Sequence, residues 1–461
     1  MTETTFEVFN PATGQLIERV ADGTVLDATR AVDAAHAAFT CWAGTPSRTR
    51  SEILRRCYDL MIRDADSLSC LIATENGKSI ADASAEVRYA AEFFRWFSEE
   101  AVRGEGSYGD APGGGAKTLV THVPVGVAAL ITPWNFPAAM ATRKIAPALA
   151  AGCTIVLKPA EETPLTALAL ARLLQEAGVP EGVVNVVPTT DAPSVVSAWL
   201  DDDRVRKISF TGSTGVGRIL MRQAADRVVN ASMELGGNAP FVITEDADVD
   251  AAVAGAMIAK FRGGGQACTA ANRFYVHADV VDEFVDKFCA AVAALEVGPS
   301  SNEKNQIGPV ISLKARAAIT ELVENALEDG ARVAVQTAVP DTGWFYPPTI
   351  LVDVPVGARI LSEEIFGPVA PIVTWTDEAE MLKSANDTEF GLAAYVYAGR
   401  LQDALRIAEQ VDAGMVGINR GVISDPSAPF GGVKQSGIGR EGAHEGIREY
   451  QETRYYSVDW S

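Results

Sequence analysis

The chain has 461 residues, of which 48% are hydrophobic, and 39 Lys and Arg against 60 Asp and Glu give a formal charge of −21. This length allows about two or three domains with sizeable cores, and the apolar content argues against a disordered chain. The charge would repel a polyphosphate backbone, which argues against nucleic-acid binding as the main function. Any anionic ligand must therefore be held by a local cluster of positive groups.

Cysteine and histidine usage bears on metals and on the cellular compartment. The six cysteines and four histidines show no CxxC pair and no zinc-type spacing, so we predict no metal site and free thiols in the reducing cytoplasm. The first residues lack a basic stretch followed by an apolar core, so we expect no signal peptide. The best candidate for a membrane span, 145–157, is shorter than the ~20 residues that cross a bilayer, and no membrane segment is predicted.

The first hundred residues are predicted to be mainly helical. From about Leu26 to Glu100, apolar residues recur at intervals of three and four, the period of amphipathic helices. A glycine-rich segment follows, and an extended stretch leads up to residue 122. We expect an exposed β-hairpin there, of a kind that often completes a neighbouring subunit. The tail, Thr453–Trp460, is predicted to be a terminal strand.

The middle of the chain alternates short apolar strands with helices. Thr163 followed by Pro164 predicts an N-cap and the first residue of a helix that reaches Ala177. The predicted strands are Thr154–Leu157, Val183–Val187, Val205–Phe210, Phe241–Ile243 and Phe274–Val276, and further helices are predicted up to Ala225, over Val249–Phe261 and over Val280–Leu295. This order predicts an α/β fold with parallel sheets covered by helices, and a second α/β unit between Gly237 and about Asn419. Such sheets place ligands beyond the carboxyl ends of their strands.

A glycine-rich turn, Gly212–Gly217, lies between a predicted strand and a helix. Free N–H groups and the helix dipole favour a phosphate there, although the GxxGxG spacing differs from the GxGxxG dinucleotide fingerprint. Lys158 and Glu161 follow another strand end, where a lysine can donate to ribose or phosphate and a carboxylate can accept from a 2′-hydroxyl. The alternative is that both segments are structural turns.

Cys268 is the cysteine whose surroundings suggest reactivity. It follows Gly263–Gly265 and has polar neighbours, and glycines let the backbone approach a ligand closely. A free thiol is mostly protonated at neutral pH, so a nucleophilic cysteine needs nearby activating groups. The other five cysteines are predicted to be packing residues.

Two further residues have a chemical interpretation beside a structural one. Glu234 stands between apolar residues and a glycine pair, where partial burial would raise its pKa toward the range of a general base; the alternative is a capping carboxylate at a domain junction. Asn135 lies in the rigid segment Pro133–Pro137, and a rigidly held amide can stabilise an oxyanion. The alternative for this segment is a proline-stiffened turn.

Taken together, these segments resemble the aldehyde dehydrogenase superfamily. The matching motifs, in the order of that family, are Pro133–Pro137, Lys158–Glu161, Phe210–Ser213, Glu234–Gly237, Gly265–Cys268 and Glu364–Pro368, between Asn10–Gly14 near the start and Pro429–Gly437 near the end. The resemblance covers almost the whole chain. It implies a Rossmann-like cofactor domain, an α/β catalytic domain and a small β oligomerisation arm.

The resemblance also implies a mechanism. Cys268 would attack the aldehyde carbon, and the Asn135 side chain with the Cys268 backbone N–H would hold the resulting alkoxide. Hydride transfer to a nicotinamide would leave a thioacyl enzyme, and Glu234 would activate the water that releases the carboxylic acid. This chemistry needs neither histidine nor metal.

The implied cofactor is NAD(P). By resemblance the residues that hold it are Thr132 and Trp134 in the cleft, Lys158 and Glu161 at the adenine ribose, Gly212 and Ser213 at a phosphate, and Glu364 and Phe366 at the nicotinamide ribose and ring. Glu161 matches the motif of NAD-preferring members, so NAD is predicted, with NADP as the alternative. The implied domains are 1–105 with 123–235 for NAD binding, 236–428 for catalysis, 106–122 with 447–461 for the arm, and 429–446 as a return segment.

Within the superfamily the chain resembles the succinate-semialdehyde dehydrogenase branch. The resembling segments are Thr142–Lys144, Lys260–Arg262 and Lys434–Gly442. In that branch the residues matching Arg143, Arg262 and Ser436 bind the distal carboxylate of the substrate, and guanidinium groups suit carboxylates. The alternatives are a helix-surface role for Arg143 and a structural ion pair for Arg262. Several branch members carry a second cysteine where this chain has Ala270, so a disulfide switch is not expected.

Three other functions remain as alternatives. A broad-specificity enzyme for aromatic or aliphatic aldehydes would use Arg143 and Arg262 structurally. An inactive scaffold could keep the fold, although Cys268, Glu234 and Asn135 are intact. A CoA-acylating relative is disfavoured because Glu234 is present to activate water. In each case we expect a homodimer or homotetramer, because the hairpin and the tail strand argue against a monomer.

Overall fold

Four β-sheets organise the chain, in a computed structural model that describes residues 4–460. Residues 1–3 and 461, which the predicted domains include, lie outside the described residues. The division into domains stays a prediction. Among residues 4–460, no helix combines the length and apolarity needed to cross a bilayer.

The first half of the chain contains most of the helices that surround the first large sheet. Its strands are β1 (Thr5–Asn10), β2 (Gln15–Ala21), β3 (Ser107–Asp110), β4 (Ala116–Pro124), β5 (Val127–Ile131), β6 (Thr154–Lys158), β7 (Val184–Val186), β8 (Val205–Thr211) and β9 (Asn230–Glu234). Its helices are α1 (Val25–Ala43), α2 (Ser47–Arg63), α3 (Ala65–Asn76), α4 (Ile80–Glu100), α5 (Pro137–Ala151), α6 (Pro164–Glu176), α7 (Ala192–Asp201) and α8 (Thr214–Ala225).

The second half repeats the alternation of strand and helix. Its strands are β10 (Ala239–Ile243), β11 (Ala271–His277), β12 (Arg332–Gln336), β13 (Thr349–Val352), β14 (Val369–Trp375), β15 (Ala393–Tyr397), β16 (Met415–Ile418), β17 (Gly437–Ile438) and β18 (Gln451–Asp459). Its helices are α9 (Val249–Phe261), α10 (Val281–Ala293), α11 (Leu313–Glu328), α12 (Glu378–Asn386), α13 (Leu401–Ala408) and α14 (Glu445–Arg448).

The first large sheet has the strand order β17-β9-β8-β5-β6-β7. Strands β5 to β9 are parallel, and β17 is added antiparallel at the β9 edge, with Gly437 opposite Glu234. Successive side chains of a strand point to opposite faces. Accordingly, Ala128 and Leu130 of β5 join one buried cluster with α2 to α6, and Ala129 joins another with α1, α7 and α8. The sheet is thus covered by helices on both faces, as predicted.

The second large sheet has the order β12-β13-β14-β11-β10-β15-β16. It is parallel except at the β12 edge. Phe241 and Ile243 of β10 pack into one core and Val242 into the core on the other face. The sequence predicted this second α/β unit, but not the antiparallel edge strands β12 and β17.

The predicted hairpin and terminal strand form one antiparallel sheet of order β18-β4-β3. Strand β18 pairs with β4 from Gln451 opposite Pro124 to Asp459 opposite Ala116. Large apolar side chains on this sheet and directly after it stay in contact with solvent, with Tyr455 58% and Trp460 64% exposed.

The predicted start of α6 was partly right. Pro164 does begin α6, but the Thr163 side chain does not cap it. The buried carboxylate of Glu75 instead accepts from the N–H groups of Leu165 and Thr166, each at 2.9 Å, and a carboxylate is the stronger acceptor for these unpaired donors.

Cysteine burial also differs from expectation. Cys57 and Cys153 are buried and Cys289 is half-buried, whereas Cys41 and Cys70 are exposed. The helices that carry the exposed pair present these positions to solvent, so these two cysteines are not packing residues.

Candidate active site

The carboxyl ends of neighbouring parallel strands bring the predicted residues to one edge of the first sheet. The register places Ile131, the last residue of β5, beside Lys158 and Phe210, and Thr211 beside Glu234. The segments that follow, Thr132 to Asn135 after β5 and Gly212 after β8, therefore emerge at the same level. This is the edge where an open parallel sheet binds its ligands.

Three successive glycines shape the backbone before Cys268. Gly263, Gly264 and Gly265 have φ angles of 61, 66 and 74°, in the left-handed region that a side chain disfavours. A Cβ atom on Gly265 would lie 2.3 Å from the carbonyl oxygen of Gly367. The glycines thus allow the Cys268 loop to pack directly on the turn that carries Glu364 and Phe366.

Two cavities meet at Cys268. One, of about 130 Å³, is lined by Cys268, Asn135, Arg143, Arg262, Tyr89 and Ser424 among others; because it contains the two arginines predicted to bind substrate, we call it the substrate pocket. The other, of about 210 Å³, is lined by Cys268, Asn135, Trp134, Gly212, Ser213, Glu364 and Phe366 among others; because most of these are predicted cofactor residues, we call it the cofactor cleft. Cys268 and Asn135 line both cavities, so a reacting atom between them is reachable from either side. A larger cleft of about 580 Å³ beside α12 contains none of the predicted residues.

The Cys268 thiol is in an environment that favours its protonated form. Burial raises its pKa to about 12, and the carboxylates of Glu364 and Glu234 act in the same direction. The Arg143 guanidinium opposes the shift. A thiolate at Cys268 thus depends on nearby positive charge and on removal of its proton.

The Asn135 amide is directed by one clear contact. Its Nδ2 atom donates a 3.0 Å hydrogen bond to the carbonyl oxygen of Gln266, and its Oδ1 atom is buried without a partner among the described residues. An amide nitrogen has two hydrogens. The second N–H is therefore available to an oxygen bound near Cys268.

Glu234 lies behind the cavities rather than in their linings. It is 3% exposed, and its Oε2 atom has no hydrogen-bond partner among residues 4–460. Burial raises its pKa well above the ordinary value, the Glu441 carboxylate adds to the shift, and Lys144 opposes it. Lys144 Nζ contacts Glu441 Oε1 at 2.5 Å. Glu234 thus combines a raised pKa with a position outside the linings of both cavities.

The two predicted arginines both line the substrate pocket. Arg143 is buried, contrary to its alternative as a helix-surface residue, and its Nη1 atom lies 3.5 Å from Glu441 Oε2. Its Nε and Nη1 atoms have no hydrogen-bond partner among the described residues. Arg262 is half-buried, with Cζ 5.7 Å from the centre of the Phe136 ring. Within residues 4–460 no carboxylate forms an ion pair with Arg262, so its alternative as a structural ion pair finds no support.

Ser436 does not belong to the substrate pocket. Its side chain is fully buried, and its hydroxyl donates to the Gly236 carbonyl at 2.7 Å and accepts from the Gly391 N–H at 2.9 Å. Through these two hydrogen bonds the hydroxyl joins the return segment, 429–446, to the loop that follows Glu234 and to the loop before β15. The expectation that Ser436 binds a substrate carboxylate is therefore corrected: Ser424, twelve positions earlier in the same region, lines the pocket instead.

The predicted cofactor residues separate into two groups. Trp134, Gly212, Ser213, Glu364 and Phe366 line the cofactor cleft. Thr132, Lys158 and Glu161 lie outside that lining at the adjoining strand ends, where the Thr132 N–H donates to the Lys158 carbonyl at 3.1 Å and Lys158 Nζ contacts Glu161 Oε2 at 2.9 Å. The two groups occupy successive positions along the same sheet edge, as an extended ligand would require.

The chemistry of the cleft fits a dinucleotide. Ser213 caps α8, leaving N–H groups at a helix N-terminus for a phosphate. Glu364 accepts from the Gly237 N–H at 3.2 Å, and burial raises its pKa to about 7. Among residues 4–460 no group of three or more His, Cys, Asp or Glu is arranged to hold a metal.

The comparisons with known proteins agree with this arrangement. The family model described as "Aldehyde dehydrogenase family" matches residues 1–456. The chain belongs to the aldehyde dehydrogenase family. It is 54% identical to the succinate-semialdehyde dehydrogenase of Paenarthrobacter nicotinovorans over 96% of this chain and 99% of that protein. It is 49% identical to the glutarate-semialdehyde dehydrogenase of Pseudomonas putida over 98% and 94%.

Solved structures of the family share the fold. The crystal structure of an NADP-dependent enzyme of Escherichia coli matches with a TM-score of 0.97 and 47% identity, over 99% of this chain and 95% of the other. The predicted family, its fold class and the enzyme class are thereby confirmed. NAD(P) is the cofactor of this family, and an aldehyde is its substrate.

Some pocket residues escaped prediction from the sequence. Tyr89 and Asp82 line the substrate pocket from α4, together with Glu86. Spacings of four and three residues place these side chains on one face of α4. Three polar residues on a face that packs inward could have indicated a pocket there. Ser424 lies in a loop, where no periodicity marks it.

Proposed function

We propose that this aldehyde dehydrogenase oxidises a carboxylate-bearing semialdehyde, succinate semialdehyde, to the dicarboxylic acid. The supporting observation is that Cys268 shares its pocket with the guanidinium groups of Arg143 and Arg262. In a chain of charge −21, two arginines beside the nucleophile provide the local positive charge that an anionic substrate needs. The names of the two semialdehyde dehydrogenases reported above point to the same substrate class.

The chemistry then follows from the residues around Cys268. Its sulfur attacks the aldehyde carbon, and the free N–H of the Asn135 amide holds the oxygen on which negative charge develops. After oxidation the acyl group is held on the sulfur as a thioester. Glu234, with its pKa raised by burial, turns toward this thioester and takes a proton from the attacking water, which releases the acid.

When it is bound, NAD(P) would act as the oxidant by accepting a hydride. Glu364 and Phe366 would hold its nicotinamide end and Ser213 a phosphate. Lys158 and Glu161 would hold the adenine ribose. We infer a preference for NAD because the Glu161 carboxylate, 46% exposed beside Lys158, would accept from a ribose 2′-hydroxyl and repel a 2′-phosphate. The alternative is NADP, the cofactor named for the similar Escherichia coli enzyme.

A substrate panel tests this proposal. Purified protein is assayed for reduced cofactor with succinate semialdehyde, glutarate semialdehyde, benzaldehyde and propanal, each with NAD and with NADP. The expected result is a kcat/KM for succinate semialdehyde well above that for the neutral aldehydes. The Cys268→Ser variant should form no reduced cofactor with any of them. Equal values for propanal and succinate semialdehyde would instead favour the broad-specificity enzyme.

We also propose that the sheet β18-β4-β3 joins copies of this chain into a homodimer or homotetramer. Its exposed apolar residues and long edge strand support this, because unpaired strand edges and apolar patches favour association. A cytoplasmic location remains part of the proposal and agrees with six unpaired cysteines. Light scattering on the purified protein gives the assembly directly.

A further inference from the structure

The backbone that carries Asn135 is held by side chains from a distant part of the sequence. Asn76, the last residue of α3, donates from Nδ2 to the Trp134 carbonyl at 2.9 Å. Lys78, in the connection to α4, donates from Nζ to the Asn135 carbonyl at 2.7 Å. Two consecutive carbonyls of the loop thus receive hydrogen bonds from the turn between α3 and α4.

Lys78 is also half of a buried ion pair. Its Nζ atom lies 2.5 Å from Glu86 Oε2, and the two side chains are 2% and 0% exposed. The same ammonium lies 4.1 Å from the centre of the Phe136 ring, a cation–π distance. Lys78 therefore makes three buried interactions, a hydrogen bond to Asn135, a cation–π contact with Phe136 and the ion pair with Glu86.

Glu86 holds the backbone on the C-terminal side of Asn135. Its Oε1 atom accepts from the N–H groups of Ala138 at 2.9 Å and Ala139 at 3.3 Å. These are unpaired donors in the first turn of α5, whose N-cap residue, Phe136, offers no side-chain acceptor. The carboxylate thus caps α5 and fixes the chain immediately after Asn135.

A purely stabilising role does not account well for this pair. Buried ion pairs lose about as much by desolvation as they gain by attraction, and apolar residues of similar size often replace them without loss. What apolar residues could not reproduce is the simultaneous hold on the Asn135 carbonyl and the α5 N-terminus. The Asn135 amide donates one N–H to the Gln266 carbonyl. The position of the backbone sets the direction of its second N–H.

We propose that Lys78 and Glu86 are positioning residues for the reaction: they hold the Asn135 backbone so that the free amide N–H meets the oxygen of the substrate bound to Cys268. This inference rests on the oxyanion role proposed for Asn135. It concerns the rate of attack by Cys268 and leaves cofactor affinity unaffected.

The test uses a paired neutral variant and a double-mutant cycle. Lys78→Met alone would leave the Glu86 carboxylate buried without its partner and destabilise the fold, so the variant is Lys78→Met with Glu86→Gln, in which the Gln carbonyl can still cap α5. First-turnover formation of reduced cofactor is measured with the best aldehyde of the panel. We expect this variant to be about 10- to 100-fold slower than wild type, with an unchanged KM for NAD(P).

Asn135→Ala completes the cycle. Alone it should slow the first turnover about 10²–10³-fold. Added to Asn135→Ala, the neutral pair should slow the reaction by less than about twofold, since the group it positions is already absent. A merely structural pair would slow both backgrounds equally.

A matched control is Glu75→Gln, which neutralises a buried carboxylate in the same segment that caps α6 instead. Its first-turnover rate should stay within about twofold of wild type, because it does not contact the Asn135 loop. If Asn135→Ala is slow while the neutral pair is as fast as wild type, the positioning role is overturned and the proposed function stands. If Asn135→Ala is itself as fast as wild type, the oxyanion role fails and the inference fails with it.

Discussion

Arg143 Nη2 donates a 2.8 Å hydrogen bond to the Tyr89 hydroxyl, and both side chains line the pocket of Cys268. The guanidinium Cζ atom lies 4.0 Å from the centre of the Phe430 ring and 5.4 Å from that of Phe93. Its Nε and Nη1 atoms have no hydrogen-bond partner among the described residues, and Nη1 lies 3.5 Å from Glu441 Oε2; these donors would be available to the carboxylate of the proposed substrate. The contribution of the two arginines to substrate choice can therefore be separated by mutation.

The first prediction concerns Arg262, the more exposed of the two. Arg262→Gln should lower kcat/KM for succinate semialdehyde about 10- to 100-fold, the value of a hydrogen bond between charged groups, and leave propanal within about threefold. Steady-state rates of the variant and the wild type with both aldehydes test this prediction. An equal loss on both aldehydes would mean that Arg262 is structural.

The second prediction separates two serines. Ser424→Ala should raise KM for succinate semialdehyde about tenfold or more, since one hydrogen bond to the charged carboxylate is lost. Ser436→Ala should leave KM unchanged but lower the free energy of unfolding by about 1–3 kcal/mol, because it strands the buried Gly391 N–H and Gly236 carbonyl. Steady-state kinetics and urea unfolding of both variants provide the check, and the reverse pattern would restore Ser436 as the substrate ligand.

The third prediction is a pH dependence. Burial raises the pKa of both the Cys268 thiol, to about 12, and the Glu234 carboxyl, and both groups act in their deprotonated forms. Activity should therefore rise with pH from about 6 to about 9. Glu234→Gln should keep the rise in the first turnover, which needs only the thiolate, and lose about 10²–10⁴-fold in steady-state turnover. A profile that is flat over this range for the wild type would contradict the prediction.

The fourth prediction concerns cofactor choice. Glu161→Ser removes the carboxylate beside Lys158, so a 2′-phosphate would no longer meet a like charge and could pair with the lysine. The ratio of kcat/KM for NAD to that for NADP should fall by about tenfold or more. The neighbouring Glu162→Ser, one position further along the same turn, is the control and should leave the ratio unchanged. A ratio that Glu161→Ser does not alter would remove the basis for NAD preference.

Much of the fold could be predicted because its signals are local. The helix over Val249–Phe261 agrees residue for residue with α9, and the strand at Thr154 differs from β6 by one residue. Each depends on periodicity and on nearby turn residues. The strand order of the two large sheets could not be predicted, because it depends on pairings between distant segments, such as Gly437 with Glu234. No local sequence pattern indicates such a pairing.

The residues of the site also differ in whether a local sequence signal marks them. Residues in dense motifs, such as Cys268 and Phe366, line the two cavities, and their roles there stay predictions. Ser436 does not line them, because it lies in a conspicuous motif whose role is to connect segments, whereas Ser424 lies in a plain loop. Lys78 and Glu86 act through a backbone more than fifty positions away, and only the tertiary structure brings them to Asn135.

The antiparallel edge strand β17 has a consequence for how the enzyme is made. Ser436 and Gly236 lie 200 positions apart, and β17, the strand that borders Glu234, is synthesised long after β9. A nascent chain emerges from its N-terminus and can fold its domains as they appear, yet this sheet edge stays open until β17 has been made. Cys268 is therefore synthesised well before the strand that borders Glu234, and the proposed site is complete only after β17 has been made.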